Sequence, residues 1–450
     1  MLSDYAKPGI VRGLLAAALG IYGVLSLHSE SKTATFYGFS LSCLIVSILI
    51  ITWNKKRGIF APTHIFLFVF WLFHCGLLVS IEQIDDMELL RAVDWIFVTD
   101  IQPAALAVGY GILAYFLGVI SMRMTKFKYK AAASKNQAFS PRVFGVTGIA
   151  VGAISTIMII GTLFANGASL GGGYLSYLET SQDTSFFGYL QLFAVIGVGL
   201  AIASRGNSAI VGWVIFGFLA LFYVAMGARG SAMFPALALF AIEARYRKFR
   251  LWAFLIAAIG ILSLISLSRQ SRHYGVTELL SGTYAVTPWQ GLAEMGASLY
   301  PVVVVQEWMA GGLVPAAGGT IVAIPLGIVD SMFSTNLASK HGGTLFNVEI
   351  AEKVGQIGGS PIAEGFRNGN LLGVVLTMVS IGLLLCAIEM TPLTVSANAY
   401  TIVILAPLLS GVRNALGPLL IHIIIGLTVV FILSMVGRSH KAISYKKRNS

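Results

Sequence analysis

Five arginines stand out as residues able to do chemistry. Arg229 lies in Gly227-Ala228-Arg229-Gly230-Ser231, and Arg269 and Arg272 lie in Ser268-Arg269-Gln270-Ser271-Arg272-His273-Tyr274. Arg367 closes the segment Gly358-Gly359-Ser360-Pro361-Ile362-Ala363-Glu364-Gly365-Phe366-Arg367-Asn368, and Arg413 sits in Ser410-Gly411-Val412-Arg413-Asn414. A guanidinium presents five donors in a rigid fork that fits phosphate oxygens two at a time. Glycine beside several of them lets the backbone approach a ligand closely. Helix N-termini add positive potential at the same surface. Together these features describe a site for a large phosphate-bearing lipid headgroup. The competing reading is that each arginine anchors a helix end in the membrane interface.

Other chemistry is thinly represented. His64, His74 and His422 fall in apolar runs and read as packed residues with local polar contacts. His273 beside Arg272 and His341 beside Lys340 are loop residues, and His273 is the better placed for acid–base work. Asp85-Asp86 has no second acidic or histidine cluster to complete a metal site, so no metal is expected. There is no Walker loop, dinucleotide fingerprint, His-Glu-x-x-His or Gly-x-Ser-x-Gly, so no cofactor is expected. ATP-driven transport and serine hydrolysis therefore have no support. Cys43, Cys75 and Cys386 all sit in apolar runs, which leaves no loop pair for a disulfide or zinc site.

Composition fixes the elements that hold these residues. Of 450 residues, 56% are hydrophobic and 11% charged, with mean hydropathy +0.82. Soluble domains carry roughly 25% charged residues. Most of this chain therefore needs an apolar solvent. A span needs ~20 apolar residues, and lipid offers its backbone no hydrogen-bond partners. The apolar runs have that length and lack alternation, which predicts an all-α polytopic membrane protein of about twelve spans. They fall near 9–27, 34–53, 61–81, 103–122, 143–166, 187–204, 209–227, 231–245, 251–268, 369–388, 398–412 and 416–436. Lys7 and Arg12 precede the first run without a small-residue cleavage site, so it reads as a span and not a signal peptide.

The net charge of +11 reflects orientation, with no nucleic acid implied. Placing both termini in the cytoplasm puts 21 of the 30 Lys and Arg residues inside, including Lys55-Lys56-Arg57, the 123–142 loop, Arg245, Arg247, Lys248, Arg250 and the tail. The nine outside include the five arginines above. Of the 19 acidic residues, only Asp4, Glu243 and Glu389 fall inside. The chain divides into spans one to nine (1–268), a long extracytoplasmic loop (269–368), and spans ten to twelve with a basic cytoplasmic tail (369–450). Within the loop, 299–305 and 313–329 are weakly apolar. They read as a re-entrant pair, surface helices or an extra pair of spans.

Three features resemble the Wzy-type oligosaccharide repeat-unit polymerases, the O-antigen polymerase family. They are the Gly227–Ser231 turn leading into a span, the long external loop opening with Arg269 and Arg272, and the acidic, Asn/Gly-rich stretch from Gly358 to Gly373. The resemblance covers about 200–420 in detail and the rest by hydropathy. It implies a lipid-linked glycosyltransferase of the GT-C type in the bacterial cytoplasmic (inner) membrane. The implied substrates are oligosaccharides on polyprenyl pyrophosphate, with a chain-length regulator as a further partner. Arg229, Arg269, Arg272, Arg367 and Arg413 would stabilise the departing lipid pyrophosphate without metal. Glu364 would accept the attacking hydroxyl's proton. An O-antigen ligase shares this architecture but commonly carries a loop His motif, for which only His273 and His341 are candidates. A flippase or secondary transporter would show repeats, broken helices and ionisable residues near mid-membrane, whereas here the charges sit at the ends of spans and the large loop has no twin.

Overall fold

A computed structural model describes residues 8–29, 33–53, 58–125, 141–169, 173–182, 186–247, most of 249–266, 287–333 and 344–448. The described residues form helices and turns, with no strand. The helices are α1 (Pro8–Leu27), α2 (Ala34–Ile51), α3 (Pro62–Ser80), α4 (Met87–Ala92), α5 (Trp95–Val98), α6 (Gln102–Met124), α7 (Pro141–Ala165), α8 (Gly173–Gln182) and α9 (Phe187–Ser204). There follow α10 (Gly206–Ala225), α11 (Arg229–Glu243), α12 (Pro288–Met295), α13 (Tyr300–Ala310), α14 (Gly319–Phe333), α15 (Phe346–Val354), α16 (Pro361–Met390), α17 (Val395–Gly411) and α18 (Leu416–Arg448).

Eight of these are long and apolar enough to cross a bilayer: α2, α3, α6, α7, α9, α10, α16 and α18. The expectation of about twelve therefore meets eight such helices among the described residues. Val11–Leu27 and Val395–Gly411 are apolar but shorter, and α11 has 15 residues. Large apolar side chains such as Leu14, Ile157, Leu221 and Leu372 are exposed on the helix surfaces. That distribution suits lipid contact and would be a liability in water.

The chain forms two compact units, the first comprising 1–126, 287–387 and 408–421. Small residues set its helix contacts. The Ser47 hydroxyl on α2 donates to the Ala16 carbonyl of α1 at 2.6 Å, and Gly23 faces the Ser40 carbonyl. Gly118 on α6 faces the Val379 carbonyl of α16, and Gly382 faces the Tyr115 carbonyl in return. Side chains at these positions would force the backbones apart, and close backbone approach is what helix association in lipid relies on. Part of the long predicted loop also packs here. Gly76 of α3 lies against the Leu292 carbonyl, Gly296 lies against the backbone of Leu77, and Val302–Val305 are buried. The segment from α12 to α13 thus runs along a spanning helix.

The second unit comprises 127–286, 388–407 and 422–450. Its α7 and α9 meet through Gly148, Gly152 and Gly197, a small-residue stripe that permits direct backbone contact.

Candidate functional site

The helix α16 is two helices joined by a break. Gly369 (φ −167°) and Asn370 (φ +52°) leave helical geometry, separating 361–368 from 371–390. With ψ −144°, Asn370 takes a positive-φ backbone conformation that favours glycine. The halves fold back on each other where Gly373 meets the carbonyl oxygen of Gly365, and a Cβ on Gly365 would sit 2.9 Å from the Val374 Cα. The first half starts with a serine cap and a proline: Ser360 Oγ accepts the Ile362 N–H at 3.1 Å, and Pro361 needs no partner at the first helical position.

Glu364 lies one turn into this half and is fully buried. Its Oε1 accepts from the Thr320 hydroxyl at 3.0 Å and its Oε2 from the Leu416 backbone N–H at 2.5 Å. Leu416 opens α18, so the carboxylate caps that helix and meets the positive end of its dipole. Asn368 completes the knot. Its amide donates to the Thr320 hydroxyl and to the Glu364 carbonyl, both at 2.7 Å, and its oxygen accepts the Thr320 N–H at 3.4 Å. The start of α14 is thereby bound to the same half-helix.

Arg367 makes a fork with Glu349 of α15: Nε reaches Oε2 at 2.9 Å and one terminal nitrogen reaches Oε1 at 3.0 Å. Its other terminal nitrogen donates to the Val314 carbonyl at 2.7 Å. Lys353 also contacts Glu349 at 3.2 Å, with its ammonium 4.4 Å from the Trp308 ring centre. Burial pushes the Glu349 carboxyl up, but the bonds and charges of Arg367 and Lys353 outweigh it and hold the group below its ordinary range.

Arg413 stands in the turn between α17 and α18. Its carbonyl accepts the Gly359 N–H at 2.8 Å. Gly358 takes φ +84°, and a Cβ there would lie 2.9 Å from the same carbonyl. The paired glycines therefore serve a backbone-to-backbone contact between the 358–368 segment and the Arg413 turn. The structure thus brings Glu364, Arg367 and Arg413 into one assembly within the first unit.

Arg229 belongs to the second unit. Helix α10 ends in a Schellman turn: Gly227 takes φ +72°, its N–H reaches the Val224 carbonyl at 3.0 Å, and the Ala228 N–H reaches the Tyr223 carbonyl at 2.8 Å. This turn delivers Arg229 to the start of α11, where it is buried and donates to the Ile265 carbonyl at 2.6 Å. Arg269, Arg272 and His273 lie outside the described residues.

Sequence reasoning did not single out Thr320, Asn368, Glu349 or Ser360. Glu349 and Lys353, four apart on α15, carry the clearest signal: opposite charges at the spacing of one helical turn. Among the described residues no three His, Cys, Asp or Glu side chains gather as metal ligands. Cys43, Cys75 and Cys386 are buried.

A polytopic helical membrane protein with a polar knot built on a broken helix is the class these features define. The family description O-antigen polysaccharide polymerase Wzy matches residues 11–440, nearly the whole chain, and the chain belongs to that family. Its activity is accordingly the polymerisation of repeat units into polysaccharide, a glycosyltransferase-type reaction. No curated protein and no solved structure matches the chain.

Proposed function

We propose that this polymerase joins oligosaccharide repeat units carried on polyprenyl pyrophosphate, at the outer face of the bacterial cytoplasmic membrane. Both termini would lie in the cytoplasm. The observation carrying this reading is the Glu364–Arg367–Arg413 assembly. It places two arginines and a helix start around a broken helix in the segment that the charge distribution assigns to the outside. An acceptor hydroxyl attacks the donor's anomeric carbon, and the bond from that carbon to the pyrophosphate oxygen breaks. The lipid pyrophosphate leaves with its negative charge held by guanidinium groups, Arg367 and Arg413 being the two in the unit that carries Glu364. No divalent metal is needed for that step. Glu364 already accepts one hydroxyl, that of Thr320. To take the acceptor's proton it exchanges that hydroxyl for the sugar's. Its bond to Leu416 meanwhile supports a second duty, fixing the Arg413 turn at the start of α18.

The test is polymerisation by purified protein in lipid with synthetic lipid-linked repeats. A ladder of products spaced by one repeat, persisting in excess chelator, is expected. Transfer of a single repeat to an unrelated lipid without a ladder would overturn it, and loss of the ladder in chelator with rescue by metal would overturn the metal-free step. A chain-length regulator would shift the ladder's upper limit when added.

A further inference from the structure

We propose that His74 is a positioning residue for the transfer reaction, acting through Ser360 on the segment that carries Glu364 and contacts Arg413. This rests on the polymerase reading above. His74 is fully buried in α3, with its ring stacked on Phe70 at 4.1 Å between centroids. Its Nδ1 faces the Phe70 carbonyl at 3.1 Å. A carbonyl only accepts, so Nδ1 carries the proton and Nε2 is left as an acceptor. The Ser360 hydroxyl, itself fully buried, donates to that Nε2 at 2.7 Å.

Ser360 is where this contact gains leverage. Its oxygen accepts the Ile362 N–H, and its carbonyl accepts the Glu364 N–H at 2.9 Å, so it sets the first turn of the half-helix. The preceding residue, Gly359, is bonded to the Arg413 carbonyl. One imidazole lone pair therefore aims the serine hydroxyl that starts the helix beneath Glu364, beside the Arg413 turn. Packing alone does not call for histidine. A phenylalanine would stack on Phe70 equally well, and a buried polar ring in a spanning helix costs free energy unless its bonds are used.

The experiment compares His74→Phe, His74→Gln, Ser360→Ala and the double variant His74→Phe/Ser360→Ala in the polymerisation assay, normalised to folded protein. His74→Phe and Ser360→Ala should each lower kcat about tenfold, the worth of one buried hydrogen bond, with KM within about twofold. The double variant should be no worse than Ser360→Ala alone, because that variant already removes the bond lost in His74→Phe. His74→Gln, whose amide oxygen reaches toward the Nε2 position, should recover most of the rate. Amide exchange across 360–366 should quicken in His74→Phe, a reading independent of activity. Normal kcat in Ser360→Ala, additive losses, or Gln no better than Phe would overturn the proposal. Ser360→Ala removes a single oxygen and carries the test if the histidine variants fold poorly. Absence of a ladder from the wild type would instead sink the polymerase reading, and amide exchange would still decide whether the latch exists.

Discussion

The backbone N–H of Leu416 donates to Glu364 Oε2 at 2.5 Å, across 52 positions of sequence. A carboxylate that a sequence reading would assign to proton transfer is also the cap of a helix. The two duties separate experimentally. Glu364→Gln keeps the shape, but its amide nitrogen must face one donor, and a lost charge-assisted bond costs about 1.5–3 kcal/mol. If capping dominates, Gln lowers thermal stability in detergent together with polymer yield. If proton acceptance dominates, stability holds while single lipid-linked repeats accumulate. We expect both to fall, and unchanged stability would remove the capping role.

Gly365 and Gly373 give a purely steric prediction. A side chain at Gly373 would overlap the Gly365 carbonyl, and neither helix backbone can yield cheaply. Gly373→Val should cost about 1–3 kcal/mol or more, through overpacking at a backbone contact. Gly369 is the control. It has nothing within 4 Å of its Cβ position, and its φ of −167° is extended backbone open to any residue. Gly369→Ala should therefore behave as wild type in a thermal-shift measurement. Equal loss from both would mean that the halves do not touch.

Much of this fold is legible in hydropathy because lipid leaves the chain few options. The runs read as spans near 61–81, 103–122 and 143–166 are α3, α6 and α7, each within two residues at either end. The broken helix was not legible. Glu364, Arg367 and Asn368 make 361–368 look like loop, so hydropathy predicts a span only from 369, whereas the helix begins at Pro361. Those polar groups are tolerated because Thr320, Glu349 and Leu416 satisfy them, and such partners lie far off in sequence. Arg245 shows the same limit. Counted as one more inner-loop charge, it is in fact buried, donating to the Thr391 and Pro392 carbonyls at 2.7 and 2.9 Å just beyond the end of α16. The five arginines stand out because charge is rare here, but the partners of Arg229 and Arg367, Ile265 and Glu349, are set by the fold.

The Glu349 pair should leave a pH signature. A carboxyl held below its ordinary value stabilises the fold above the unfolded pKa, about 4.3, and loses that contribution as pH falls through the folded pKa. Glu349→Gln lacks the contribution at every pH and leaves Arg367 uncompensated. The melting-temperature gap between wild type and Glu349→Gln should be widest near neutrality, hold steady down to about pH 4.3 and close below it. A gap that ignores pH would show that the charge is not its source. Replacing Arg367 by Gln as well should restore part of the loss.

The orientation proposed from charge is checked by reporter fusions at Gly318 and Lys130. Gly318 precedes α14, and Lys130 lies in the basic 123–142 stretch. The Lys130 fusion should report cytoplasm and the Gly318 fusion the opposite side. Two fusions on one side would sink the topology, and with it the outer-face assignment of the reaction.

The pyrophosphate reading makes the sharpest demand on the arginines. Losing one charge-assisted phosphate contact should cost on the order of 1.5–3 kcal/mol, a rate loss of roughly ten- to a hundredfold. Alanine at Arg229, Arg269, Arg272 or Arg413 should show that loss in polymer formation. Lysine should rescue only partly, since it keeps the charge without the fork. Arg367 differs, because its fork already grips Glu349. Its alanine variant should lose stability as well as rate, whereas Arg413→Ala keeps the carbonyl that Gly359 uses and should lose mainly rate. Arg247 is the control. It is 75% exposed and stands 3.9 Å from Glu243, so alanine there should leave chain length unchanged. Near-normal polymer from alanine variants of Arg229, Arg272 and Arg413, at normal folded yield, would reduce these residues to anchors of helix ends.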